Sequence, residues 1–302
     1  MIGDWEKIAN FDEISLRHCI SLPISLTMKK KNIITRSVSG AVYVGLLIGA
    51  VLSGGIWIVL LTSLLAMVGV YEFIAMTSEG KFPRFASLLD ISAAIMLQIA
   101  AGVGFTGSRK AFLTLMMVYI LLIVARTVTQ LYAVHRNSVN SLSRSMMAQM
   151  YVAMPLALFS ALYFTFTPHI MLAILVFIWV NDTGAFCVGS TMGRHKLFER
   201  ISPKKTWEGF WGGMLFCVIA AFIMRGFFPQ YYDTMSYGDI CRMGILVSIF
   251  ATLGDLVESQ IKRTCGVKDS GKLIPGHGGI LDRIDSLLLV VPVSLIYLYF
   301  IS

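Results

Sequence analysis

Apolar residues run along this chain in blocks too long for the core of a soluble domain, and the polar residues fall in short clusters between them. A helix needs about 20 mostly apolar residues to cross a hydrocarbon layer roughly 30 Å thick. Blocks of this kind lie near 38–53, 56–77, 85–105, 111–134, 149–166, 168–190, 209–228, 239–261 and 280–301. The pattern predicts an all-α, polytopic membrane protein with about nine transmembrane helices. The first two blocks meet at Ser53-Gly54-Gly55 with so little between them that they also read as a re-entrant hairpin. Residues 149–190 are punctuated only by Thr167-Pro168. The chain divides into an extension over 1–37, N-terminal spans over 38–150, and a C-terminal region over 151–302 with polar connections at 193–208 and 262–279.

Composition agrees with this. Of 302 residues, 56% are hydrophobic and only 14% charged, against about 25% charged in soluble domains. A soluble enzyme, a disordered chain and a collagen-like fibre are excluded. The net charge of +8 is explained by the preference of Lys and Arg for cytoplasmic loops. With the N-terminus inside, 19 of the 25 Lys and Arg fall on the inner side, and nine spans then leave the C-terminus outside. No soluble basic face or aromatic–basic interleaving supports nucleic-acid binding. Residues 1–28 contain Asp4, Glu6, Asp12 and Glu13 and lack the basic lead of a signal peptide, so they read as a cytoplasmic extension. The five cysteines form no Cys-x-x-Cys pair, which argues against a zinc ribbon or a disulfide framework. No internal repeat is visible. Ala41, Gly45, Gly49 and Ser53 recur every four residues, a stripe suited to close helix packing within the chain, the favoured reading, or across a homodimer. The same holds for Gly209, Gly212 and Gly213.

Ionisable residues within membrane spans are costly and mark functional sites. Here they gather at one depth. Asn181-Asp182 lies in the inner half of the sixth block, Asp255, Glu258 and Ser259 in that of the eighth, and Asp282, Arg283 and Asp285 open the ninth. Asp255, Ser259 and Lys262 are spaced i, i+4, i+7 on one helical stripe, and Asp282 and Asp285 share a face. Carboxylates without His or Cys partners suit a hard cation such as Mg²⁺. Two connections dense in Lys, Arg, Gly and hydroxyl residues frame the cluster. One runs Gly193-Arg194-His195-Lys196 and Ser202-Pro203-Lys204-Lys205-Thr206-Trp207-Glu208-Gly209, the other from Lys262 to Gly279. Such residues neutralise and cradle phosphate, yet neither connection contains a P-loop.

Ser259-x-Ile261-Lys262-Arg263, then Lys268-Asp269-x-Gly271, then Pro275-x-His277-Gly278-Gly279-Ile280-x-Asp282-Arg283-Ile284-Asp285 closely resembles the signature of phosphatidate cytidylyltransferases. Ser202 to Gly209 and Asn181-Asp182-x-Gly184-Ala185-Phe186 resemble the same family, and Glu72 of Tyr71-Glu72-Phe73 is a further shared position. The resemblance implies transfer of a cytidylyl group from CTP to phosphatidic acid, with Mg²⁺, giving CDP-diacylglycerol and pyrophosphate. It leaves open a second, monovalent cation and a homodimer. The expected location is a bacterial plasma membrane with the site facing the cytoplasm.

On this reading Asp255 and Asp282 are the principal metal ligands, completed or oriented by Asp182 and Asp285. Ser259, Lys262 and Arg263 bind phosphate, with Lys262 nearest the reacting group. Lys204, Lys205 and Thr206 hold the triphosphate tail or the lipid head. Lys268 and Arg283 are further phosphate contacts. His277-Gly278-Gly279 forms a turn offering backbone N–H groups to phosphate; His277 as a general acid or zinc ligand is the weaker reading. Two rival classes are a CTP-dependent lipid-alcohol kinase of the dolichol or phytol type, which would release CDP, and a cation-coupled transporter, which predicts acids at mid-bilayer.

Overall fold

The computed structural model describes residues 38–78, 84–104, 107–132, 137–271, 273 and 278–302. Eight helices are long and apolar enough to cross a membrane, and a ninth, α1 (Val38–Ser53), is shorter. Gly54 and Gly55, at φ 67° and 52°, turn the chain from α1 into α2 (Ile56–Thr77). At Gly54 a Cβ would run into the Tyr163 hydroxyl, so glycine is required there for space as well as for backbone angle. The following spans are α3 (Arg84–Gly104) and α4 (Arg109–Thr129), the latter ending in a 3₁₀ turn, Gln130–Tyr132.

The next span departs from the sequence pattern. It begins well before residue 149, with α5 (Ser138–Ala148), passes through a π turn over Gln149–Ala153, and continues as α6 (Met154–Thr165). Asn137 caps it, its side chain accepting from the Asn140 N–H at 3.2 Å. Ser141 and Ser145, which precede the fifth apolar block, are buried with Gln149 against a charged pair. Arg126 Nε of α4 lies 3.2 Å from Asp90 Oδ2 of α3. Ser145 donates to the same carboxylate, Arg126 Nη2 donates to the Ser141 hydroxyl at 2.9 Å, and Gln149 Nε2 donates to the Asp90 carbonyl at 2.8 Å. A buried charge must be paired and hydrogen-bonded to be tolerated. This one is, and it draws a polar helix into the bundle.

The C-terminal spans are α7 (Pro168–Met192), α8 (Trp207–Phe227), the short α9 (Pro229–Tyr232), α10 (Tyr237–Thr264) and α11 (Leu281–Ile301). Helices α7 and α8 meet along glycines. A Cβ on Gly213 would come within 2.5 Å of Asn181 Oδ1, and one on Gly212 within 2.5 Å of Val188 Cβ. Asn181 in turn accepts from the Ser248 hydroxyl of α10 at 2.7 Å. Gly213→Ala is therefore expected to destabilise the protein by about 1–3 kcal/mol through overpacking, read as a lower melting temperature in detergent. Helices α10 and α11 also touch backbone to backbone, a Cβ on Gly254 falling 2.8 Å from the Asp285 carbonyl. That contact sets Asp255 beside Asp285.

The outward faces are apolar, as lipid demands: Leu60 and Leu64 of α2, Met117 and Leu121 of α4, and Leu215 and Phe222 of α8 are all exposed. The small-residue stripe of α1 packs differently from the favoured expectation. Gly45 and Gly49 look into open space within the described chain. Helix α1 instead buries Leu47 and Val51, and its Tyr43 hydroxyl donates to the Arg283 carbonyl at 3.1 Å.

Candidate active site

The ends of α2, α7 and α10 and the starts of α8 and α11 converge at one end of the bundle. The connection between α7 and α8 is an antiparallel hairpin, β1 (Lys196–Phe198) and β2 (Ser202–Thr206). Glu208, in the first turn of α8, fastens its base. Its carboxylate accepts from the backbone N–H groups of Arg194 and His195 and lies 2.6 Å from His195 Nδ1. Thr206 is buried, and its hydroxyl caps α8 by accepting from the Gly209 N–H at 3.2 Å. The residue expected to bind phosphate thus holds the helix start first.

Hairpin, α7, α8 and α10 enclose a cavity of about 530 Å³, within the range of small-molecule sites. Asp182, Asp255, Lys196, Lys204 and Lys205 line it, beside the rings of Phe186 and Phe210. Lys205 Nζ lies 2.8 Å from Asp255 Oδ2 and donates to the Thr252 carbonyl at 3.3 Å. The Ser259 hydroxyl donates to the other oxygen, Oδ1, at 3.1 Å. Asp285 completes the acidic group, within electrostatic reach of Asp255 and Asp182, and Arg283 lies within reach of Asp182.

One turn along α10, Lys262 joins two carboxylates, Glu258 Oε2 at 2.7 Å and Asp282 Oδ1 at 2.6 Å. Glu258 is wholly buried, and its Oε1 has no hydrogen-bond partner. Asp282 Oδ2 accepts from the N–H groups of Ser270 and Gly279 at 3.0 and 2.8 Å. Behind it stands Glu72 of α2, also buried. Glu72 accepts from Ile280 N at 3.1 Å, Leu281 N at 2.9 Å and the Ser270 hydroxyl at 3.2 Å. Helix α11 has no side-chain cap of its own. A carboxylate from a distant helix takes that place, where the orphan N–H groups and the positive end of the helix dipole favour an anion. A Cβ on Gly271 or Gly279 would strike this carboxylate, so both glycines are needed for its close approach.

Of the residues expected at the site, Asp182, Asp255, Lys204, Lys205 and Thr206 line the cavity, Ser259 and Asp285 stand beside Asp255 without lining it, and Lys262, Asp282, Gly278 and Gly279 form the adjoining group. The turn at Gly278 has φ 88°, but its neighbour's N–H does not point to an open phosphate site: Gly279 donates to Asp282. Arg263 is exposed and donates to the Val267 carbonyl at 3.4 Å. Lys268 and Arg283 are exposed as well. His277 lies outside the described residues. The sequence reading gave Glu258 no role, although its i, i+4 spacing to Lys262 signals the pair. It also gave Tyr43 no part in holding α11.

Among the described residues no three His, Cys, Asp or Glu side chains already form a metal cluster. The donor chemistry nevertheless fits Mg²⁺, which commonly takes one or two carboxylates and completes its shell with water and substrate phosphates. Asp182, Asp255 and Asp285 are the carboxylates that fit. Asp255 would exchange its Lys205 contact to bind the ion, and Asp282 could join only by exchanging its Lys262 contact.

The family model described as the cytidylyltransferase family matches residues 34–301, which takes in every helix and the whole of this site. A phosphatidate cytidylyltransferase of Staphylococcus epidermidis is 33% identical over 243 residues, 80% of this chain and 89% of that protein. One from Staphylococcus haemolyticus is 35% identical over 241 residues, with the same coverage of 80% and 89%. The chain belongs to the phosphatidate cytidylyltransferase family. A Staphylococcus aureus member is 47% identical over a shorter 124-residue stretch, 41% of this chain and 46% of that protein. As a family member, this cytidylyltransferase is a nucleotidyltransferase built on membrane helices, and the kinase and transporter readings are not favoured.

Proposed function

We propose that the protein transfers the cytidylyl group of CTP to phosphatidic acid, releasing pyrophosphate and leaving CDP-diacylglycerol in the bilayer. The observation that carries this reading is the cavity itself, where carboxylates suited to a hard cation and lysines suited to phosphate line one chamber at a membrane end. A phosphatidate oxygen attacks the α-phosphorus of CTP; the new P–O bond forms as the bond to the β-phosphate bridging oxygen breaks. The lipid phosphate is already an anion, so no general base is needed. The barrier is repulsion between two polyanions and the charge gathering on pyrophosphate, and positioned cations lower it.

Lys196, Lys204 and Lys205 sit where they would hold the triphosphate. Lys262, kept in place by Glu258 and Asp282, would face the reacting phosphates. Asp182, Asp255 and Asp285 would hold Mg²⁺, which when bound supplies charge neutralisation on phosphate oxygens. The Lys- and Arg-rich connections around the chamber support an orientation toward the cytoplasm of a bacterial plasma membrane, where CTP is supplied.

Purified protein given labelled CTP and phosphatidic acid, with and without Mg²⁺, tests the reading. Pyrophosphate and CDP-diacylglycerol are expected in equal amounts and only with the metal. Release of CDP would mark a kinase and overturn it. Lys205→Met is expected to raise KM for CTP about tenfold, the size of one charge-assisted hydrogen bond, with a smaller change in kcat. An unchanged KM would move the triphosphate away from β2.

A further inference from the structure

Helix α10 has a second working face. Asp255 lines the chamber, and Ser259 and Lys262 continue its stripe at spacing i, i+4, i+7. Val257, Ile261 and Thr264 repeat that spacing two residues on, about 200° around the helix, and so face the opposite way. They form one wall of a separate groove of about 470 Å³ between α2, α5 and α10. Phe73 and Met147 make its other apolar walls.

The groove lies at the last turns of α2 and α10 and within α5, the depth at which lipid headgroups sit. Its only charged lining residue among the described residues is Arg144. This half-buried guanidinium donates from Nη1 to the Thr77 carbonyl at 2.9 Å and has no carboxylate partner among the described residues. Arg126, Lys205, Arg242 and Lys262 all have one. Guanidinium carries five N–H donors, of which the Thr77 carbonyl takes one. An apolar trough at headgroup depth, closed by one cation that lacks an acid, is complementary to a phosphate joined to an acyl chain.

We propose that this groove binds an anionic glycerophospholipid of the surrounding bilayer, its phosphate on Arg144 and an acyl chain along Met147, Val257 and Ile261. Because the site lies behind α10, the bound lipid is not the one that reacts. The proposal does not rest on the reaction assigned above.

The test uses the full chain, delipidated in a neutral detergent and titrated with phosphatidylglycerol or phosphatidylcholine, with bound lipid counted by native mass spectrometry. Phosphatidylglycerol is expected to bind at least tenfold more tightly than phosphatidylcholine. Arg144→Gln should abolish the preference, and Arg144→Lys should retain most of it. Met147→Trp, which fills the trough and leaves the charge, should lose phosphatidylglycerol as well; it keeps the test decisive should Arg144→Gln fail to fold. Turnover of short-chain phosphatidic acid in mixed micelles should be unaffected by Arg144→Gln. No phosphatidylglycerol preference in the parent protein, or an undiminished one in both Arg144→Gln and Met147→Trp, overturns the site. A raised KM for phosphatidic acid in Arg144→Gln with phosphatidylglycerol binding intact overturns it too, because the groove would then serve the reacting lipid.

Discussion

Asp255→Asn is expected to lower CTP-dependent turnover about a thousandfold, the scale on which loss of one preorganised electrostatic group acts. Both oxygens of Asp255 are committed: Oδ2 faces Lys205 and Oδ1 receives the Ser259 hydroxyl. The amide has almost the same shape, so the protein should still insert and fold. It carries no charge, however: with its NH₂ turned to Ser259, whose hydroxyl can accept, it offers Lys205 only a neutral amide oxygen. Cation affinity and the aim of Lys205 are lost together. Initial rates measured across a Mg²⁺ series check this: turnover should stay low at every concentration, while near-normal rates would remove Asp255 from the centre. Asp282→Asn should give the same resistance to added metal for a different reason. Its first effect should be on Lys262 and on the N–H groups of Ser270 and Gly279, so the loss should resist added metal.

Glu72→Ala should be the most destabilising single change near the site. It removes three hydrogen bonds to a buried carboxylate, from Ile280, Leu281 and Ser270, and strands two N–H groups at the start of α11. Hydrogen bonds to charged groups contribute about 1.5–3 kcal/mol each, with incomplete additivity, so a net loss of about 3 kcal/mol or more is expected. The melting temperature in detergent should fall, and amide exchange at Ile280 and Leu281 should quicken well before the rest of the bundle opens. Turnover should fall too, because Asp282 and Lys262 depend on the same loop. Glu72→Gln should fall between the two, since its NH₂ opposes N–H donors. Unchanged melting and exchange in Glu72→Ala would show that α11 starts without this clamp.

Much of this was legible in the residues. Apolar blocks placed the spans because hydrocarbon thickness leaves the chain little choice of length, and helical spacing put Asp255, Ser259 and Lys262 on one face. The start of α5 was hidden because Ser141, Ser145 and Gln149 read as solvent-loving until Asp90 and Arg126 are seen opposite them. That pairing joins three helices and has no local signature. The hairpin over Lys196–Thr206 was hidden by its brevity and its lysines, which do not alternate with apolar residues as strand faces do. The occupation of Asp282 by Lys262, Ser270 and Gly279 depends on how a loop folds back, which spacing does not encode. The outward turn of the Gly45 and Gly49 stripe shows the same limit: small residues permit close packing without saying what packs.

The clamp at Glu72 also bears on how the protein can be re-engineered. The signature-bearing segment from α10 to α11 takes its opening hydrogen bonds from a helix near the other end of the polypeptide. Chimeras that graft the signature onto a foreign N-terminal scaffold should therefore succeed only when α2 is transplanted with it, or when the host supplies an acid at the equivalent place.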